Sequence, residues 1–182
     1  MIRLFVALLI PDDIKKTIFE HREKAFPGTY NQKWEPADKI HVTLKFIGEV
    51  SDELIDPIAG TLDFIKDYKS FDCELTGFGF FYKGKDAKIL WMGLKIENKV
   101  FDLVEKLNNL LKEFSIPVEK RKFKPHLTLK RLKGNEGAKF IRSFEEYKIP
   151  AVKFKAGAVA LYKSELLQSG SVYKKIKIYN LK

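Results

Sequence analysis

Short segments rich in Val, Ile, Phe and Tyr recur along the chain at 2–10, 40–47, 71–80, 87–96, 125–131, 151–162 and 172–181, and their length and composition predict strands. Helical periodicity falls between them. It is clearest at 97–114, where Leu103, Val104, Leu107, Leu110, Leu111 and Phe114 follow the i, i+1, i+4, i+7, i+8 spacing of one buried face. Two further helices are predicted at 12–26, opened by Pro11-Asp12-Asp13, and at 51–68, opened by Ser51 with Asp52 and Glu53 in the first turn. Pro57 should kink the latter or move its start. A shorter helix is expected at 136–147. Pro27-Gly28, Lys83-Gly84-Lys85-Asp86 and Ser169-Gly170-Ser171 mark turns. Clustered strands without strict β-α alternation predict an α+β fold with antiparallel sheets.

Composition narrows the picture. A chain of 182 residues buries a self-sufficient core without staples, and Cys73 is its single cysteine, so a disulfide scaffold is excluded. Fifteen Phe and seven Tyr are too many for a disordered chain, and no apolar run approaches the ~20 residues of a membrane span. Arg3-Leu4-Phe5-Val6-Ala7-Leu8-Leu9-Ile10 is short and runs into Pro11-Asp12-Asp13 without a cleavage pattern, which makes it a buried strand and not a signal segment. A reducing cytoplasm is the expected location, and nothing demands more than a monomer.

Charge is divided unevenly. Residues 1–119 hold 17 Lys/Arg against 20 Asp/Glu, whereas residues 120–182 hold 17 against 4. Seven cations and no acid lie between Lys120 and Lys133. Such a stripe favours phosphate-bearing partners through counterion release, the competing reading being a lysine-rich solvated surface.

An internal echo sharpens the reading. His41-Val42-Thr43-Leu44-Lys45-Phe46 and His126-Leu127-Thr128-Leu129-Lys130-Arg131 agree at four of six positions, 85 residues apart. Two similar lobes, one motif in each (41–43 and 126–128), would interleave into one domain over 1–182. Strand parity puts His41, Thr43 and Lys45 on one face and Val42, Leu44 and Phe46 on the other; His126, Thr128 and Lys130 share a face in the same way. Apolar faces would bury against each lobe, leaving two imidazoles and two hydroxyls to meet across a cleft. Lys45 and Lys130 would reach a phosphate there, unless they snorkel to water.

Two histidines suit phosphodiester chemistry without a metal. One takes a proton from the incoming oxygen and the other protonates the departing one. Threonine hydroxyls can donate to the non-bridging oxygens as charge develops on them. The third histidine, His21, has charged neighbours Glu20, Arg22 and Glu23 on its helix and is expected at the surface. No Cys or carboxylate joins either motif histidine at ligand spacing, so neither a metal nor a cofactor is expected.

At these residues the chain resembles the 2H phosphoesterase superfamily, and within it the bacterial and archaeal RNA 2′,3′-cyclic phosphodiesterases, also called 2′-5′ RNA ligases. The resemblance extends over Arg3-Leu4-Phe5-Val6-Ala7-Leu8, Ile40 through Val50, Ile89-Leu90-Trp91-Met92-Gly93-Leu94, Phe123 through Arg131, and Leu161-Tyr162-Lys163-Ser164-Glu165-Leu166 with Tyr173. It implies a bilobal, pseudo-two-fold α+β fold with a cleft between two antiparallel sheets and helices outside. It also implies hydrolysis of RNA 2′,3′-cyclic phosphate ends to 2′-phosphates, tRNA fragments being one candidate class of substrate, with reversible 2′-5′ joining of RNA ends. His126 would be the base, His41 the acid, and Thr43 and Thr128 the phosphate ligands. The residue five past each histidine would hold the terminal base, here Phe46 and Arg131. Parity turns both away from the cleft, and a twist or bulge would be needed to return them. This chain departs from the pattern in its lysine-rich second motif and in Gln168-Ser169-Gly170-Ser171, where a Gly-Pro turn is commoner. Two alternatives keep the same residues: a phosphodiesterase acting on a small nucleotide, such as a cyclic phosphate of ADP-ribose or a 2′-5′ oligoadenylate, and an RNA-end binding module without turnover.

Overall fold

Alternating apolar residues build eight strands, and the computed structural model describes them within residues 1–28, 33–168 and 170–182. In chain order the elements are β1 (Ile2–Leu9), α1 (Asp12–Ala25), β2 (His41–Val50), α2 (Ile55–Thr61), β3 (Phe71–Lys83), β4 (Asp86–Ile96), α3 (Lys99–Leu110), β5 (His126–Arg131), α4 (Gly137–Glu146), β6 (Val152–Ala156), β7 (Ala158–Leu167) and β8 (Gly170–Asn180). They form two four-stranded antiparallel sheets, ordered β2-β1-β7-β8 and β5-β4-β3-β6. The orders correspond position by position. Each motif strand lies at a sheet edge beside the strand that precedes it, with one helix in the connection: β1-α1-β2 in the first sheet and β4-α3-β5 in the second. The two motif strands touch each other where the sheets meet.

The segment read as one strand over 151–162 is two strands in different sheets. Ala156 pairs with Phe71 in the second sheet, while Ala158 pairs with Asn180 in the first. Gly157 alone separates them, and its carbonyl accepts from the Leu181 amide at 2.9 Å. The apolar pattern is continuous because both strands face the same core, so the crossing left no mark in it. A single apolar cluster accordingly joins the two sheets, from Leu4, Leu8 and Val42 of the first to Leu90, Met92 and Leu127 of the second.

The helix expected over 51–68 is α-helical only at Ile55–Thr61, with 3₁₀ turns at Asp52–Leu54 and Leu62–Asp67. Pro57 lies in the first turn of α2, where its missing N–H costs nothing, so it sets the start and does not kink. The Lys83-Asp86 turn is a two-residue hairpin loop with Gly84 at φ +61°. In the expected Ser169-Gly170-Ser171 turn, Ser169 lies outside the described residues, and Gly170 opens β8. No helix among the described residues is long and apolar enough to cross a membrane.

His21 is not at the surface. It is 8% exposed, with Nδ1 2.7 Å from the Tyr147 hydroxyl. The cause is helical phase: Ile14, Ile18 and His21 occupy i, i+4 and i+7 of α1, the stripe buried in the fold, and α1 packs on α4 just before Tyr147.

Trp91 lies across the second sheet over Gly79 and Gly93. A β-carbon at Gly79 would fall inside van der Waals contact of the indole, and one at Gly93 would meet Thr76 Oγ1 at 2.5 Å. Gly79→Ala should therefore destabilise the protein by about 1–3 kcal/mol, the usual cost of overpacking, and change the near-ultraviolet circular dichroism of tryptophan. Thermal unfolding with an unchanged midpoint and spectrum would show that the indole has room to move.

Candidate active site

Register decides what faces the cleft. His41 pairs with Leu9, Thr43 with Ala7 and Phe46 with Phe5 of β1. Leu9, Ala7 and Phe5 alternate along one face of β1, so His41, Thr43 and Phe46 share that face. Three residues separate Thr43 from Phe46 but only two separate Ala7 from Phe5. The extra residue is a β-bulge at Leu44, and it reverses the parity of Lys45 and Phe46 before a second irregularity at Ile47 restores it. The second motif repeats the device. His126 pairs with Gly93, Thr128 with Trp91 and Arg131 with Ile89, with a bulge at Leu129.

Two parity expectations are therefore corrected. Phe46 and Arg131 stand on the histidine face, the first 55% exposed and the second with a side chain 66% exposed. Lys45 and Lys130, expected beside the histidines, point to the opposite side and are 4% and 7% exposed. Their ammonium groups are taken up by main-chain carbonyls on that opposite side. Lys45 Nζ donates to the Pro117 carbonyl at 2.6 Å, and Lys130 Nζ to the Lys33 carbonyl at 3.2 Å. The basic stripe is thinner than its composition implied, because Lys130 is buried and Arg121 is taken up by Glu119 through Nε and Nη2 at 3.1 and 3.0 Å.

The walls are aromatic. On the first sheet, Phe5 stacks on Tyr162 at 5.0 Å between centroids and on His41 at 5.1 Å, with Tyr173 edge-on to all three. Phe46 extends the wall, 5.9 Å from Phe5. On the second sheet, Phe81 meets His126 edge-on at 4.8 Å and Trp91 at 5.3 Å. Lys124 Nζ sits 4.4 Å from the centre of the Trp91 ring. Sequence reasoning passed over Phe5, Phe81, Tyr162 and Lys124 as site residues. For Phe5, Phe81 and Tyr162 the signal was strand alternation itself, each being a large aromatic at a position of cleft-facing parity, whereas Lys124 precedes β5 and was marked only as part of the basic stripe.

Electrostatics separate the two imidazoles. His126 Nδ1 lies 2.7 Å from the Lys124 carbonyl. A carbonyl only accepts, so Nδ1 carries the proton and Nε2 of the neutral ring offers its lone pair to the cleft. His41 Nδ1 is buried without a partner in hydrogen-bonding geometry, although the Lys39 main chain is near enough to oppose its desolvation. Burial pushes the His41 imidazole down to about 4, and repulsion from His126 and Lys15 adds to this. The two imidazoles are thus within electrostatic reach of each other, on strands that meet at the junction of the sheets. Burial also lowers His126, partly offset by its bond to the Lys124 carbonyl. Burial thus favours the neutral form of both rings, His41 the more strongly. Among the described residues, no three His, Cys, Asp or Glu side chains gather as a metal site would require.

An imidazole and a hydroxyl on the edge strand of each of two four-stranded sheets is the arrangement to set beside known proteins. The family model for the 2′-5′ RNA ligase superfamily matches residues 10–166, and the chain belongs to that superfamily. Relatives named RNA 2′,3′-cyclic phosphodiesterase include one from Thermotoga maritima, 29% identical over 94% of this chain and 91% of its own length, and one from Methanocaldococcus jannaschii, 29% identical over 96% and 98%. Among solved structures, Escherichia coli LigT complexed with 3′-AMP superposes with a TM-score of 0.75 at 25% identity, covering 99% of this chain and 98% of LigT. A Thermus thermophilus protein, TT0787, superposes at 0.77 with 24% identity over 98% and 97%.

The titration of His41 has a consequence for stability. The unfolded chain takes up its proton below about 6.5, the folded one only near 4. Stability should therefore fall as pH drops across that window, with no contribution from this group above it. Nuclear magnetic resonance should give a His41 midpoint near 4 that rises when inorganic phosphate is added, since a bound anion favours the imidazolium. A midpoint near 6.5 that phosphate leaves in place would contradict the burial argument.

Proposed function

We propose that this protein hydrolyses the 2′,3′-cyclic phosphate end of RNA to a 2′-phosphate, with His126 as general base and His41 as general acid. The names of its relatives suggest the substrate class. The observation that carries the mechanism is the tautomer of His126: the Lys124 carbonyl holds the proton on Nδ1 and leaves Nε2 as the basic nitrogen.

In this reading His126 Nε2 removes a proton from water as the water oxygen forms its bond to phosphorus. The P–O3′ bond breaks on the far side, and protonated His41 delivers its proton to O3′. The 2′-ester is untouched, so the product is a 2′-phosphate with a free 3′-hydroxyl. Thr43 and Thr128 donate to the non-bridging oxygens, whose charge grows in the transition state. The phosphate anion itself raises the His41 imidazole, so that the ring takes up from solvent the proton it delivers to O3′. A 5′-hydroxyl in place of water would join two RNA ends through a 2′-5′ linkage by the same displacement. Phe46 offers a face for stacking and Arg131 a planar cation, both suited to the terminal base.

A short RNA ending in a 2′,3′-cyclic phosphate, incubated with EDTA present, should yield the 2′-phosphate by mass and by isomer assignment. His41→Ala and His126→Ala should each lower kcat by about 10²–10⁴-fold while RNA still binds, and Thr43→Ala or Thr128→Ala by about 10²-fold. Bound RNA without turnover would overturn the proposal in favour of a binding module. Turnover of small cyclic nucleotides alone would move the substrate from RNA to a mononucleotide.

The pH profile offers a second check. Because kcat/KM reports the free protein, where burial lowers both imidazoles, its optimum should lie below pH 6.5, with the kcat optimum displaced upward by the bound anion. Coincident optima above neutrality would contradict the assignment.

A further inference from the structure

Lys45 and Lys130 are buried at equivalent places in the two motifs, and neither serves its own strand. The bulge at Leu44 turns Lys45 out of the cleft toward the junction between the sheets. Its ammonium is held there by the Pro117 carbonyl, 2.6 Å away, in the segment that leads from α3 into His126. That segment is organised further along: the Glu119 amide donates to Asn108 Oδ1 of α3 at 3.2 Å, and the Glu119 carboxylate accepts from the Arg121 amide at 3.1 Å. It carries Lys124, whose carbonyl fixes His126.

Lys130 mirrors this. The bulge at Leu129 turns it inward, and its ammonium donates to the Lys33 carbonyl at 3.2 Å, in the segment that leads from α1 into His41. The same segment closes the free edge of β5, where the Glu35 amide donates to the Leu129 carbonyl at 2.8 Å and the Glu35 carboxylate lies 3.5 Å from Arg131 Nε. Glu136 balances the Lys130 charge at 3.9 Å while accepting from the Lys133 and Gly134 amides, both at 3.0 Å. Desolvation lowers both lysines, and Glu119 and Glu136 respectively oppose it. Two cations are therefore retained at a cost, in a place where a methionine would pack.

We propose that Lys45 and Lys130 are reciprocal positioning residues: each motif strand uses its buried ammonium to hold the main-chain approach to the other motif's histidine, and the pair sets the separation of His41 and His126. Two proton-transfer groups on opposite sides of one phosphorus tolerate little error in that separation, and a displacement of about 1 Å can cost 10²-fold in rate. The rate consequence rests on the proposed phosphodiesterase function; the coupling between each lysine and the distant histidine does not.

The test is crossed. Lys45→Met should perturb the titration and Nδ1–H resonance of His126 more than those of His41, although His41 is the one on its own strand. Lys130→Met should perturb His41 more than His126. On cyclic-phosphate RNA each variant should lose roughly tenfold to hundredfold in kcat with KM within about twofold, and Lys→Arg, which keeps a donor, should restore part of the loss. Where a methionine variant does not fold, Lys→Gln at the same position is read in the same way. Each variant perturbing the histidine of its own strand, or neither, would overturn the proposal. So would a raised KM with kcat intact and a salt dependence of binding shallower by about one, the mark of a lysine contacting phosphate directly. A wild-type protein inactive on the RNA would instead refute the assigned function, leaving the resonance experiment to decide the coupling.

Discussion

The constraint on which the site depends is the β-bulge placed just past the threonine of each motif strand. A regular strand alternates faces, so the stretch from His41 to Phe46 could not put the histidine, the threonine and the phenylalanine on one side. One extra residue, Leu44 in the first motif and Leu129 in the second, makes it so. The same extra residue sends the following lysine into the junction between the sheets, where it is buried and must find an acceptor. Cleft and junction are therefore two sides of one irregularity. A mutation that regularised either strand would turn Phe46 or Arg131 away from the cleft and expose a buried cation to it.

The twinned architecture does not make the two histidines equivalent. His126 has its tautomer fixed by the Lys124 carbonyl at 2.7 Å, whereas His41 is the more deeply buried ring, stacked on Phe5 and Tyr162, with the Lys39 main chain near its Nδ1 but outside hydrogen-bonding geometry. The walls differ too: Ala7 pairs with Thr43 where Trp91 pairs with Thr128. Under the proposed mechanism this asymmetry divides the work. The ring with a fixed, outward lone pair is ready to accept a proton, and the ring pushed to about 4 becomes a strong donor once a phosphate anion has charged it.

Much of this was legible in the sequence, because strand periodicity and the 85-residue echo are local signals. The α+β class, the antiparallel pairing and the sharing of one strand face by His41 and Thr43, and by His126 and Thr128, all follow from alternation. What was not legible depends on partners distant along the chain. Nothing within 41–46 distinguishes a bulged strand from a regular one, and the acceptor that lets Lys45 be buried is Pro117. The strand read over 151–162 hid a sheet crossing at Gly157, since both halves are apolar on the same side. His21 was misjudged for a related reason: its sequence neighbours are charged, but its helical neighbours Ile14 and Ile18 are core.

Under the proposed mechanism two imidazoles act from opposite sides of one phosphorus in a single displacement, and the configuration at phosphorus records whether they do. A 2′,3′-cyclic phosphorothioate of defined configuration at phosphorus, opened by the protein in isotopically labelled water, should give a 2′-phosphorothioate inverted at phosphorus. Retention would mean two displacements through a covalent intermediate on the protein, and would contradict the account.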